Sequence, residues 1–449
     1  MMGDTGSGSD SASIWLATYL MGKRVGWTVT KCVPIADGFR FDNITKLTLG
    51  MMGKVQRVSL RSRVITNPDW TLRSFEFELG SQDGSFKTRG MVKDGYLIWN
   101  GNKAERAPQV RLTRQLYPIE ALGRVLVEAH PETGVKLNYL TFDGAVMDTL
   151  PAVVTVLGRE VLNSDGSVST VLKVRVKRAK METTIWLDEE GMTIKEETPM
   201  GLNSKRASEE EALSGESIYP VDLLRIFAVE VDTVVPHPES VKRVTMEVSG
   251  IDTAEFNLDG SYQRVTSRSP LLVEIEIPLR PQEGIKLPIG AENEYLKPSV
   301  LIQADAKPIK IEAQEIIAGT DDASIAAERI MNWVYRSLKK EAVASLPNAL
   351  DVLQSRKGDC NEHSVLYAAL ARAAGIPSKV VVGLVYLNGS FYYHAWNEVY
   401  LNQWIPLDAT FGEFPANALH LKLAEGDLSQ QAEVLGLVKK IGIKILMFN

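Results

Sequence analysis

Gly358-Asp359-Cys360-Asn361-Glu362-His363, followed by Tyr393-His394-Ala395-Trp396-Asn397-Glu398 and Pro406-Leu407-Asp408, decides the reading of this chain. Asp359 has the character of a helix N-cap, and Glu362 three residues later gives capping-box spacing. Cys360 is then the first helical residue, where free backbone N–H groups and the positive dipole end favour a thiolate. Val365, Leu366, Ala369, Leu370 and Ala373 give the helix an apolar stripe, and Gly375 with Pro377 ends it.

Lys379 to Tyr386 is β-branched and predicts a strand. Asn388-Gly389 is a type I′ hairpin signal, and Phe391 to Leu401 is the returning strand. Period-two alternation puts Tyr392, His394, Trp396 and Glu398 on one face. Trp404 to Asp408 is a third strand. A two-residue turn at Asn402-Gln403 would pair Asn397 with Asp408 and point that carboxylate away from His394. Bringing the two together requires a three-residue loop or a bulge, so that Asp408 lies opposite His394 or Trp396. A cysteine at a helix start, a histidine in a strand and an aspartate at the next strand's end suit a nucleophile, its base and an orienting carboxylate.

These residues resemble the transglutaminase-like superfamily of cysteine acyl-transfer enzymes, in particular its bacterial members. The matching text is Arg356-Lys-Gly-Asp-Cys-Asn-Glu-His363, Ala368-Ala-Leu-Ala-Arg-Ala-Ala-Gly-Ile-Pro377, Tyr393-His-Ala-Trp-Asn-Glu-Val399 and Trp404-Ile-Pro-Leu-Asp-Ala-Thr-Phe-Gly412. It covers roughly residues 315 to 430. The resemblance implies Cys360 as nucleophile, His394 as base and Asp408 as orienter. It also implies a papain-like core with the cysteine helix packed on an antiparallel sheet. Substrate class does not carry over, since the superfamily holds cross-linking transferases, peptidases, amidases and members without known activity.

Other side chains compete for these roles. His363 lies one helical turn after Cys360 and is an alternative base, otherwise a packing residue. His130 and His237 each precede proline and read as surface residues; His420 follows the third strand with no evident partner. Trp396 reads as a cleft aromatic shielding the ion pair or as plain core. Gln354, six residues before Cys360, is a candidate side-chain oxyanion donor or a helix-surface glutamine; the Cys360 amide is the safer donor. Cys32 reads as a small half-buried residue in a strand. With two cysteines in the chain, a disulfide framework and multi-cysteine zinc sites are excluded.

The 449 residues suggest about two to four domains. A net charge of −6 argues against nucleic acid as a main partner. No stretch is apolar and long enough to span a bilayer. Residues 1–13 are Gly/Ser/Asp-rich and predict a disordered tail, with no secretory signal visible. The resemblance favours a periplasmic or envelope location, with the cytoplasm as the alternative.

The expected fold class is α+β. Residues 14–216 predict an antiparallel β-sheet domain with one helix, Pro118 to Glu128, and Ser204 to Ser217 a linker or solvated helix. Residues 222–313 predict a small β-sandwich-like domain, and residues 314–449 the transglutaminase-like catalytic domain, entered through a helix from Asp321 to Leu338. The expected activity is cysteine-dependent acyl transfer on peptide or protein amides, by hydrolysis or transamidation. No metal or organic cofactor is required, and no calcium-ligand loop is visible. The alternative is a catalytically silent envelope docking protein.

Overall fold

Short alternating segments with one apolar face make strands that must curl to bury that face. In the computed structural model of the chain, residues 13–51, 53–82, 84–100, 109–144, 147–164, 167–178, 180–214, 223–281, 284–290, 293–343, 348–426 and 433–449 are described. Apart from Ser13, the expected tail lies outside them. Fifteen strands between Ile14 and Ala207 form one sheet among the described residues. Ile14–Leu20 lies within it, antiparallel to Lys23–Ile35 on one side and Leu202–Ala207 on the other. From there the strands run out to one edge at Gln109–Arg111 and the other at Leu116–Pro118. The sheet curls until Phe75 and Phe142, from its two halves, bring their ring centroids within 4.2 Å. The predicted helix is a 3-10 turn, Ile119–Ala121, running into Leu122–Glu128. It plugs the curl, with Leu122 and Leu126 buried against Val154, Val174 and Leu187.

Two expectations change here. Leu202–Ala207 is a strand and Glu209–Ser214 a helix, so Ser204 begins no linker; pairing with Ile14–Leu20 overrides the polar composition. In place of a sandwich, the 222–313 stretch supplies Val229–Glu230 to the sheet holding Ser390–Tyr400, and three strands, Arg243–Ser249, Gln263–Arg268 and Leu271–Glu276, to a four-stranded sheet. The fourth strand is Gly442–Phe448, at the far end of the sequence. The stretch also ends in a helix, Lys307–Ile317, where strands were expected.

In the C-terminal part, helices Lys307–Ile317, Ala323–Ser337 and Ala349–Ser355 surround the helix Cys360–Ala373, which packs on strands Ser378–Leu387 and Ser390–Tyr400. Val365, Leu366, Ala369 and Leu370 share a core with Ile330, Val334, Val399 and Leu407. A second core joins Leu384, Ala395 and Leu421 to Val244, Met246 and Ile275 of the four-stranded sheet. The Gly38–Met51/Lys54–Thr66 hairpin reaches this part too. Lys54 Nζ meets Glu341 at 2.9 Å, and Gln56 Nε2 donates to the Ala342 carbonyl at 2.8 Å.

Candidate active site

The cysteine stands where the capping signals put it. Asp359 caps the helix Cys360–Ala373 with a full capping box: its side chain accepts from Asn361 N at 2.9 Å, and Glu362 Oε2 accepts from Asp359 N at 2.9 Å. The His363 amide starts the helical ladder on the Asp359 carbonyl at 3.1 Å. The cap thus uses the Asn361 and Glu362 amides, and among the described residues it does not take up that of Cys360.

The histidine strand is tied to this helix by Asn397, fully buried, whose Nδ2 donates to the Ser364 carbonyl at 3.0 Å. The Asn388-Gly389 hairpin forms as expected, both residues at positive φ, with Leu387 opposite Ser390. After Tyr400 the chain makes a three-residue loop, Leu401-Asn402-Gln403, and Tyr400 pairs with Trp404. Asn397 then pairs with Leu407, so continuing the register sets Asp408 opposite Trp396. From there Asp408 Oδ2 accepts from His394 Nε2 at 2.6 Å, both residues buried.

That bond orients the imidazole: with Nε2–H donating to Asp408, Nδ1 is the nitrogen left to face other groups. Cys360 packs against the core cluster that holds Ala395, the residue after His394. The cysteine and the histidine strand therefore meet at this point. Phe411 stacks on His394 at 4.9 Å with 12° between planes, and buried Trp396 lies parallel to it at 6.3 Å. These rings shield the His394–Asp408 bond from water.

The helix start favours a thiolate, and burial works against it at Cys360. The residue is half-buried, and burial of its thiol followed by the Asp359 charge pushes the pKa well above its ordinary value; the Ala395 amide works the other way. Burial would also raise Asp408, but the rings of His394 and His420 outweigh it and hold the carboxyl far below the usual range.

His420 is the residue that local pattern reading missed. It opens the strand His420–Glu425, and its Nε2 reaches Asp408 Oδ2 at 3.2 Å while Nδ1 faces the Asn417 carbonyl at 3.1 Å. His394 and His420 belong to strands on either side of Ser378–Leu387, so no sequence spacing announces the contact. A signal did exist in Gly383, the break in Val380-Val-Val-Gly-Leu-Val385. Gly383 pairs with His394, and a Cβ there would stand 2.0 Å from the Leu421 carbonyl oxygen and 2.8 Å from Trp396. The missing side chain lets Trp396 and His420 meet, with ring centroids 5.3 Å apart.

Among the described residues, His394, Asp408 and His420 form a group of metal-ligand type, their ligand atoms within 4.8 Å of one another. Those atoms are already joined by the hydrogen bonds above. His363, the alternative base, is buried, its pKa lowered by desolvation, and it is bonded through Nδ1 to the Asp359 carbonyl at 2.6 Å. Gln354 lies exposed in the last turn of Ala349–Ser355. His130 and His237 are exposed, and Cys32 is half-buried in the large sheet. Beyond Trp396, buried Glu398 bridges Lys379 and Lys422 at 3.0 Å each, satisfying the charge on the histidine face.

Residues 312–409 match the family model described as the Transglutaminase-like superfamily. No curated protein matches the chain. Among solved structures, a candidate cysteine protease from Cytophaga hutchinsonii is similar at 19% identity and TM-score 0.32, over 46% of this chain and 86% of that one. A β-barrel-like domain of unknown function from Brucella abortus aligns at 13% identity and TM-score 0.37, over 44% of this chain and 95% of the other. A candidate protease from Parabacteroides distasonis aligns at 11% identity and TM-score 0.21, over 82% and 66%.

Proposed function

From the transglutaminase-like domain that residues 312–409 carry, we propose that the chain is a cysteine-dependent acyl-transfer enzyme acting on amide bonds of peptides or proteins. In this reading the cysteine helix on its antiparallel sheet is a papain-like core. The observation that carries the proposal is the buried 2.6 Å bond from His394 Nε2 to Asp408, on the strand whose Ala395 belongs to the cluster that Cys360 packs against.

The chemistry starts from a neutral thiol. His394 Nδ1 takes the Cys360 proton as sulfur attacks the amide carbonyl, and Asp408 stabilises the imidazolium through Nε2–H. The Cys360 amide donates to the oxyanion of the tetrahedral intermediate. His394 returns the proton to the leaving nitrogen as the C–N bond breaks, giving a thioester and a free amine. Water or a second amine, deprotonated by His394, then attacks the thioester; the C–S bond breaks and the thiol is restored. Water as acceptor makes a peptidase or amidase, an amine a transamidase.

The test is the rate of iodoacetamide alkylation of Cys360 from pH 5 to 9 in a Cys32→Ser background, with and without His394→Ala. The expected result is a rate about a hundredfold lower without His394 at neutral pH. Equal rates in both proteins would overturn the enzyme reading in favour of a docking module.

A further inference from the structure

The chain from Asp408 to His420 closes on itself. Asp408 and Glu413 pair as an antiparallel bridge, each amide donating to the other's carbonyl, at 2.9 and 3.0 Å. Glu413 Oε2 accepts from the amide and Nδ2 of Asn417 at 3.1 and 2.8 Å, and the Asn417 carbonyl faces His420 Nδ1 at 3.1 Å. His420 Nε2 then meets Asp408 Oδ2 at 3.2 Å, so the loop returns to the carboxylate it started from. The pairing of His420 with Val385 holds the ring from outside that loop.

A carboxylate offers about four lone-pair sites, and four groups of the protein face those of Asp408. Two backbone amides hold Oδ1, and the two imidazoles share Oδ2. A carboxylate held on all sides has one orientation, since turning it toward either ring loosens its contact with the other. Packing alone does not call for histidine at position 420. The ring is fully buried between Trp396 at 5.3 Å and Phe411 at 6.5 Å, and phenylalanine would fill that space with no polar atom to desolvate. Its two polar neighbours, the Asn417 carbonyl and the Asp408 carboxylate, only accept. Each contact therefore calls for an N–H on the nitrogen that faces it.

We propose that His420 is a positioning residue for the acyl transfer: its Nε2–H donates to Asp408 Oδ2 and keeps that oxygen aimed at His394. The inference rests on the reading of Cys360, His394 and Asp408 as the reacting group. It adds to them a side chain from the far side of Ser378–Leu387.

Two variants separate a donor from a filler. His420→Phe keeps a ring and removes the N–H, whereas His420→Gln keeps an N–H donor and removes the ring. Iodoacetamide alkylation of Cys360 is followed in the full chain at neutral pH, with Cys32→Ser as the parent. The rate is expected to fall about tenfold in His420→Phe and to stay within about threefold of the parent in His420→Gln. A phenylalanine variant as fast as the parent, or a glutamine variant no faster than the phenylalanine one, overturns the proposal. His394→Ala in the same series keeps the two readings apart. If it leaves alkylation unchanged, the acyl-transfer reading itself fails; if it slows alkylation and His420→Phe does not, only the role of His420 fails. NMR of the parent labelled with 15N-histidine decides the matter even where a variant misfolds: a proton bonded to His420 Nε2 is expected, and a bare Nε2 overturns the proposal.

Discussion

Asp408 receives four donors on one carboxylate: His394 and His420 on Oδ2, and the amides of Thr410 and Phe411 on Oδ1 at 2.7 and 3.1 Å. Asp408→Asn keeps the shape but turns an N–H₂ toward two imidazoles. His394 would then carry its proton on Nδ1 and could not serve as the base we propose. Alkylation of Cys360 is expected to slow about a hundredfold, as in His394→Ala. The same substitution has a thermodynamic signature. A carboxyl held below its unfolded value of about 3.9 contributes stability that is fully present above that pH and is lost as pH falls below it. Urea unfolding should therefore show wild type more stable than Asp408→Asn by about 3 kcal/mol from pH 5 to 8, narrowing below about pH 4. A difference that stays constant down to pH 3 would show that Asp408 does not pair as an ion.

At the scale of elements, what was legible had a local cause. The capping box, the Asn-Gly hairpin and the loop after Tyr400 follow from side chains a few residues apart, and of the loop or bulge expected there the three-residue loop is the one found. What was not legible depends on a strand brought in from elsewhere, as with His420, placed beside Asp408 only by the pairing of His420–Glu425 with Ser378–Leu387. Gly383 is where that pairing can be tested. Adding a methyl there pushes against a backbone oxygen, which cannot rotate aside, and against Trp396. Gly383→Ala is expected to cost about 1–3 kcal/mol in urea unfolding and to slow Cys360 alkylation by separating His394 from Asp408. Wild-type stability with wild-type alkylation would mean that the close approach is not needed.

At the scale of the whole molecule, alternation in the first two hundred residues announced strands, but not that Ile14–Leu20 and Leu202–Ala207 would join them into one sheet. Nor did it announce that Gly442–Phe448 would complete a sheet begun at Arg243. Such pairings rest on burying faces across long separations, which local pattern does not encode. One of these long contacts touches the approach to the cysteine. Lys54, Lys339 and Lys357 converge on Glu341 at 2.9, 2.9 and 3.8 Å. The Glu341 amide bonds the Gly358 carbonyl at 3.1 Å, two residues before Cys360. Hydrogen bonds from Lys54 and Lys339 lower the Glu341 pKa to about 2. Its contribution is thus present above the unfolded value of about 4.3 and is lost as pH falls from there toward 2. Glu341→Gln is expected to lower hydrogen-exchange protection of the Lys339 and Glu341 amides severalfold at pH 7, with wild type converging on the variant as the solution is acidified. Equal protection at pH 7 would mean that Gln56 and the short parallel pairing of Lys339–Lys340 with Lys357–Gly358 hold the hairpin end in place without the ion cluster.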